Sequence, residues 1–446
     1  MALNKIADIA YPYKCFPFMS KKILVWFRND LRLHDNEMLV EAIAKSDEIL
    51  PVFCFDSRQF ETTCYHTIKT GSIRAQFLIE SVKGLRESLQ CLGGNILIVM
   101  GKPEEVLPEL VSKYEIAEVY HHREVASEET EVSTQVEDLL WKQKINLKHF
   151  IGHTLYNKED LPFPIKDIPD VFAQFKKKTE RDAIVKPCFV TPQHISFVSV
   201  EDWGDLPVLD QLLINENIKA TITQQEIIGG ENEALIHLHE FLHTGEGMAL
   251  SNTSLKKNTI ISKLSAWLAL GCLSPREVYW KMKDAEANYG LKPYFNQIVL
   301  GLLWRDYFRF MFKKYRNIFF KSKGFSLQPI KKTDLNIELL NAWKSGNTEH
   351  PLVNSLMIEL NTTGYLSNSA RQLVAAYLVY ELNVNWVYGA AYFEEKLIDY
   401  APASNWGNWA NLAGAGNDAR LTASFDFQKL IKIVDPKGNY TQQLRA

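Results

Sequence analysis

Five short apolar runs in the first third of the chain restrict its fold more than any other feature. They are ILVWF at 23–27, ILPVFCF at 49–55, NILIVM at 95–100, EVYHH at 118–122 and LKHFI at 147–151, with helical periodicity between them. This alternation predicts a doubly wound parallel five-stranded sheet with helices on both faces. The first run leads into WFRNDLRLHDN rather than a G-x-G-x-x-G turn, so the glycine cradle for a dinucleotide pyrophosphate is missing. Six prolines from Pro162 to Pro207 then mark a wrapping linker, and from Glu231 helical patterns follow one another almost without strand signals. A chain of 446 residues exceeds one ordinary core. The reading is an α/β domain over 19–152, an interdomain linker over 153–230 and an all-helical domain over 231–446.

Fifty Lys and Arg against 53 Asp and Glu leave a net charge of -3, which gives no support for nucleic-acid binding from overall charge. The cysteines Cys15, Cys54, Cys64, Cys91, Cys188 and Cys272 are scattered, a pattern of free thiols in a reducing compartment. No apolar run approaches the ~20 residues that span a bilayer. The first 18 residues lack an apolar signal core, contain Asp8 and Pro12, and have no arginine for a transit peptide. The expectation is a cytoplasmic protein without a membrane partner, its translation starting at Met1 or Met19.

HEFLH at 239–243 matches H-E-x-x-H, which on a helix offers two imidazoles to zinc. A third ligand is needed. Glu246 and Ala249 stand where the metzincin extension requires Gly and His, and no Asp or Glu lies between Glu246 and Glu277. His239 and His243 read as helix-surface residues, and no metal is expected.

Three stretches of the helical half carry more chemistry than packing needs. SKLSAWLALGCLSPRE (262–277) sets Ser262, Lys263 and Ser265 at a helix start, a setting that suits a phosphate, although capping serines have the same form. GLLWRDYFRFMFKKYRNIFFKSKGF (301–325) interleaves aromatics and bases as nucleic-acid contact does, and an amphipathic core helix with a solvated basic face accounts for most of it equally well. Residues 362–418 hold Arg371 and Asp399, expensive to bury unless paired, with Asn368, Asn405, Trp386 and Trp409 in an apolar frame. In SNWGNWA (404–410), Gly407 between two indoles would cost a helix about 1 kcal/mol. That leaves either a buried turn filled by two rings or a surface facing a flat aromatic cofactor.

WFRNDLRLHDN, SKLSAWLALGCLSPRE, LLWRDYFRF and SNWGNWA, in this order and over nearly the whole chain from Lys21, resemble the photolyase/cryptochrome flavoproteins. The pairing of WLALGCLSPR with SNWGNWA resembles the DASH-type cryptochromes in particular. The resemblance implies FAD, with Ser262, Lys263, Leu264 and Ser265 on its diphosphate, Arg305 nearby, and Arg371 and Asp399 paired alongside the isoalloxazine. Asn405 would face the N5 edge and Ala401 would sit near the flavin; Trp409 would be the nearest electron donor and Trp386 the second. Trp304 would stack on a lesion that Asn368 also approaches, and Glu124 falls where the family binds a folate antenna, methenyltetrahydrofolate. A deazaflavin antenna, or none, stays open. The implied activity is blue-light-driven splitting of cyclobutane pyrimidine dimers in damaged, single-stranded DNA by a monomer.

Departures from the family pattern cluster near that chemistry. Gly301 replaces a glutamate that contacts the dimer, Ala401 an aspartate, and Ile260 and Ile261 polar or aromatic residues beside the phosphate site. GNTEHP (346–351), Asn354 and Ser369 also differ, no tryptophan lies between Trp304 and Trp343 to complete a triad, and the chain lacks a Trp-Pro close. Loss of a substrate-contacting carboxylate leaves its partners unpaired, at about 1–3 kcal/mol. Two alternatives therefore stand beside repair: a non-repairing blue-light photoreceptor, and a divergent homologue with weakened flavin or lesion binding.

Overall fold

The computed structural model describes residues 20–212, 227–243, 262–290, 293–326, 335–418 and 426–436. Strands β1 (Lys22–Phe27), β2 (Glu48–Phe55), β3 (Leu97–Met100), β4 (Glu118–His122) and β5 (Asn146–Phe150) form one parallel sheet in the order β3-β2-β1-β4-β5. The strands coincide with the five apolar runs. Alternate residues of β1 explain why: Ile23, Val25 and Phe27 enter one core, and Leu24 and Trp26 enter the other. A strand covered on both faces has no polar side to show. Pro51 is accommodated inside β2 because β3 begins only opposite Val52, so no ladder bond is lost there. Helices α1 (Glu37–Lys45), α2 (Ser72–Cys91), α3 (Pro103–Tyr114) and α4 (Ser127–Lys142) complete this layer.

The segment read as linker is more structured than expected. It carries α5 (Phe172–Asp182), and its extended part bonds to the sheet edge: Ile49 N–H donates to Ser196 O, Val198 N–H to Ile49 O and Ile98 N–H to Trp203 O. Prolines weaken periodicity without preventing such pairing.

The helical half contains α6 (Glu231–His243), α7 (Ser265–Ala269), α8 (Pro275–Tyr289), α9 (Pro293–Tyr315), α10 (Ile337–Ser345), α11 (Pro351–Thr363), α12 (Asn368–Ala376), α13 (Trp386–Lys396), α14 (Pro402–Leu412) and α15 (Phe427–Val434). SNWGNWA lies within α14 and is not a turn. Its glycine answers to packing, since a methyl at Gly407 would overlap the Phe308 ring of α9. His239 and His243 are exposed on α6 one turn apart, their rings stacked at 4.2 Å. The five described cysteines are free, and no helix among the described residues is long and apolar enough to cross a membrane.

WFRNDLRLHDN, which took the place of the glycine turn, joins the two halves. The buried Arg32 guanidinium donates to the carbonyls of His34, Asp35, Gly152 and Gly271. Asp35 pairs with Arg276 at 2.6 Å, and Glu231 accepts from the backbone N–H groups of Leu33 and His34. From the other side, Asp306 of α9 accepts the N–H groups of Leu155 and Tyr156, each at 3.0 Å.

Candidate functional site

The polar residues singled out in the helical half converge where α7, α9, α12, α13 and α14 meet. Arg371 Nη2 donates to Asp399 Oδ2 at 2.8 Å, and its guanidinium lies over the Tyr365 ring at 5.2 Å. Burial disfavours the Arg371 charge, but Asp399 outweighs it and the arginine is held above its ordinary value. Tyr365 in turn lies against Ser265, at the start of α7. Arg305 of α9 donates from Nη2 to Leu268 O at 2.8 Å, so α7 is tied to both sides of the site.

Two atoms there are buried without a partner: Asp399 Oδ1 and Arg305 Nη1. Burial, followed by repulsion from Arg309, pushes the Arg305 guanidinium down to about 9. A buried cationic donor and a buried carboxylate oxygen left unsatisfied are costly unless another group completes them. The pair matches the chemistry of a flavin dinucleotide, with an anionic diphosphate for the arginine and ring N–H groups for the carboxylate. The residues present therefore fit FAD.

The other expected residues take varied positions. Ser262 O is bonded to His237 Nε2 at 2.8 Å, Lys263 has φ +52°, and Leu264 is buried as the N-cap of α7. That helix has only five residues, so its dipole is small and an anion here relies on side chains more than the sequence suggested. Ala401 caps α14, and the buried Asn405 donates from Nδ2 to Ala390 O at 3.0 Å. Trp409 is buried edge-on to Phe393 (5.1 Å) and Trp343 (6.3 Å), while Trp386 packs at 5.9 Å against Trp406. Asn368 is exposed at the first position of α12. One face of the half-buried Trp304 is stacked on Phe172 of α5, centroids 3.6 Å apart and planes 11° apart. Gly301 is exposed with open space around its missing side chain. Ile260 and Ile261 lie outside the described residues.

Glu124 is buried between the two halves, accepting from Arg309 Nη2 at 2.9 Å and Asn29 Nδ2 at 3.0 Å, with His153 Nε2 at 3.2 Å. Burial alone would raise its carboxyl, but His153 and Arg309 hold it well below the usual range. Both oxygens accept from groups of the protein.

Sequence reasoning passed over Tyr365 and Phe172. Each is an ordinary aromatic in its local pattern and acquires a role only through partners distant in sequence.

Comparison with known proteins identifies the class that this fold and site define. Residues 23–193 match the DNA photolyase family model, and residues 298–444 match the FAD binding domain of DNA photolyase. The chain is 39% identical to a cryptochrome DASH of Gloeobacter violaceus over 95% of this chain and 85% of that protein. The crystal structure of a Synechocystis cryptochrome superposes with TM-score 0.87 at 38% identity, covering 95% of this chain and 88% of the other. An archaeal photolyase from Sulfolobus tokodaii, solved with two FAD molecules, gives TM-score 0.76 at 25% identity over 95% and 89%. The chain belongs to the photolyase/cryptochrome family. Its resemblance is to the DASH cryptochromes, and FAD is the cofactor of its helical half.

Proposed function

We propose that this protein is a light-driven DNA photolyase of the DASH type that splits cyclobutane pyrimidine dimers in single-stranded DNA. The observation that carries the reading is the pairing of Arg371 with a buried Asp399 whose second oxygen awaits a partner. Bound reduced flavin, excited by light, supplies the electron that opens a dimer flipped out of the strand. The chain's own residues bind and orient. Ser262, Lys263, Leu264, Ser265 and Arg305 hold the diphosphate; Arg371, Asp399, Asn405 and Ala401 border the ring; Trp304 and Asn368 meet the lesion; Trp409 and Trp386 relay electrons inward. Domain limits at 152 and 230, and a folate antenna bordered by Glu124, belong to the same proposal.

A light-dependent repair assay on a single-stranded oligonucleotide with one dimer tests it. Restored pyrimidines are expected, and complete inactivity of flavin-loaded protein would overturn it. Two observations favour a second reading, a non-repairing photoreceptor. Gly301 leaves the dimer-contacting carboxylate absent, and Phe172 covers one face of the indole meant for the lesion.

A further inference from the structure

The absent outer tryptophan leaves a question that the structure answers in an unexpected direction. No tryptophan follows Trp304 until Trp343, and Trp343 is buried against Trp409, so it leads nowhere near solvent. Trp386 instead meets Trp406, the first indole of SNWGNWA, edge to face at 5.9 Å and 72°. Trp406 Nε1–H donates to the Tyr400 hydroxyl at 3.2 Å. The Glu394 carboxylate lies near the Tyr400 hydroxyl, and Arg74 lies over the Tyr400 ring at 4.6 Å, close enough to act on Glu394 as well. Indole and phenol are thus joined by a hydrogen bond, with a carboxylate near the phenol to serve as a base.

We infer that Tyr400 is the terminal electron donor of this protein, reached from Trp386 through Trp406, and that Glu394 takes the phenolic proton as the electron leaves. The inference rests on the proposed flavin chemistry, with a light-excited oxidised flavin as the one-electron oxidant of Trp409. The resulting electron vacancy moves from Trp409 to Trp386 and then to Trp406. Tyr400 fills it with one electron while its O–H bond breaks and the proton passes to a Glu394 oxygen. The products are a neutral tyrosyl radical, a protonated Glu394 and a restored Trp406 that keeps its own N–H. Charge balances without any further reactant.

The surroundings explain why a phenol serves here. Burial holds Tyr400 well above the ordinary phenol range, so it cannot donate as a tyrosinate and must shed its proton in the same event. Burial also raises Glu394, which makes its carboxylate a stronger base, while Arg74 and the nearby Tyr400 hydroxyl favour its charged form. Loss of the proton traps the vacancy, since return of the electron then requires return of the proton. Tyr65 is the competing terminus. Its ring lies 6.1 Å from Trp406 and 5.5 Å from Tyr388, but its hydroxyl sits beside the Cys64 thiol rather than a carboxylate.

Transient EPR of the flavin-loaded protein after a blue flash tests the inference. The wild type should give a neutral tyrosyl signal that Tyr400→Phe abolishes and Tyr65→Phe leaves intact, with only a short-lived tryptophan radical remaining in Tyr400→Phe. Glu394→Gln should cut the tyrosyl yield at least tenfold and remove the solvent-deuterium effect on its formation, and Glu394→Asp should restore part of it. A tyrosyl signal that survives in Tyr400→Phe, or is lost in Tyr65→Phe, would overturn the assignment while leaving the flavin reading intact. A wild type that binds no flavin and gives no radical at all would overturn the parent reading and this inference together.

Discussion

Asp399 shows how much one side chain can state about a missing partner. Its Oδ2 is met by Arg371 at 2.8 Å, and its Oδ1 is buried with nothing to accept from. Replacing it by Asn keeps the shape but removes the charge that balances the guanidinium. Asp399→Asn should weaken FAD retention about tenfold, corresponding to about 1.4 kcal/mol, read as the flavin-to-protein absorbance ratio after gel filtration. An unchanged ratio would remove this pair from the flavin site. Trp409 allows a kinetic check of the same kind. Trp409→Phe should slow light-driven reduction of the bound flavin in the presence of a reductant, and an equal rate would mean that the electron enters elsewhere. Both residues were legible in the sequence, because a buried charge pair and a glycine-spaced indole pair are hard to explain by packing. The partners of Glu124 were not legible, because Arg309 and Asn29 lie 185 and 95 residues away.

At the scale of elements, the sheet was the most readable part. Strands buried on both faces print continuous apolar runs, and all five runs became strands. Helix α5 was hidden by the prolines around it, and the helical state of SNWGNWA by its glycine. The cost of glycine in a helix, about 1 kcal/mol relative to alanine, argued for a turn. Contact between α14 and α9 at Phe308 outweighed it. Gly407→Ala should therefore destabilise the protein by about 1–3 kcal/mol through overpacking, more than the helix gains. Urea unfolding is the measurement, with a lower midpoint expected at unchanged slope. A rise in midpoint would show that the ring moves aside freely.

Over the whole molecule, the two halves are held by buried charges. Asp306 is the clearest case: two backbone N–H groups hold its carboxylate, yet burial raises it to about 7 from an ordinary 3.8. Between those values the folded chain keeps a proton that the unfolded chain has released, so the folded state binds more protons and its stability falls as pH rises. Asp306→Asn lacks this group. Wild type should lose ground relative to Asp306→Asn as pH climbs from about 4 to about 7, with no further change above. Urea midpoints of both proteins across that range decide it, and a constant difference would mean that Asp306 does not titrate there. The buried His153, brought down to about 4, is common to both proteins and drops out of the comparison.

The sequence by itself determined the layering of the protein and the kind of cofactor it takes. Apolar periodicity and short motifs act through neighbours a few residues away, and those neighbours are already written in order. Only the tertiary structure decided which charges meet, which face of Trp304 is covered, and that Trp386 meets Trp406. Those outcomes depend on distances between residues that the chain brings together only once both cores have closed.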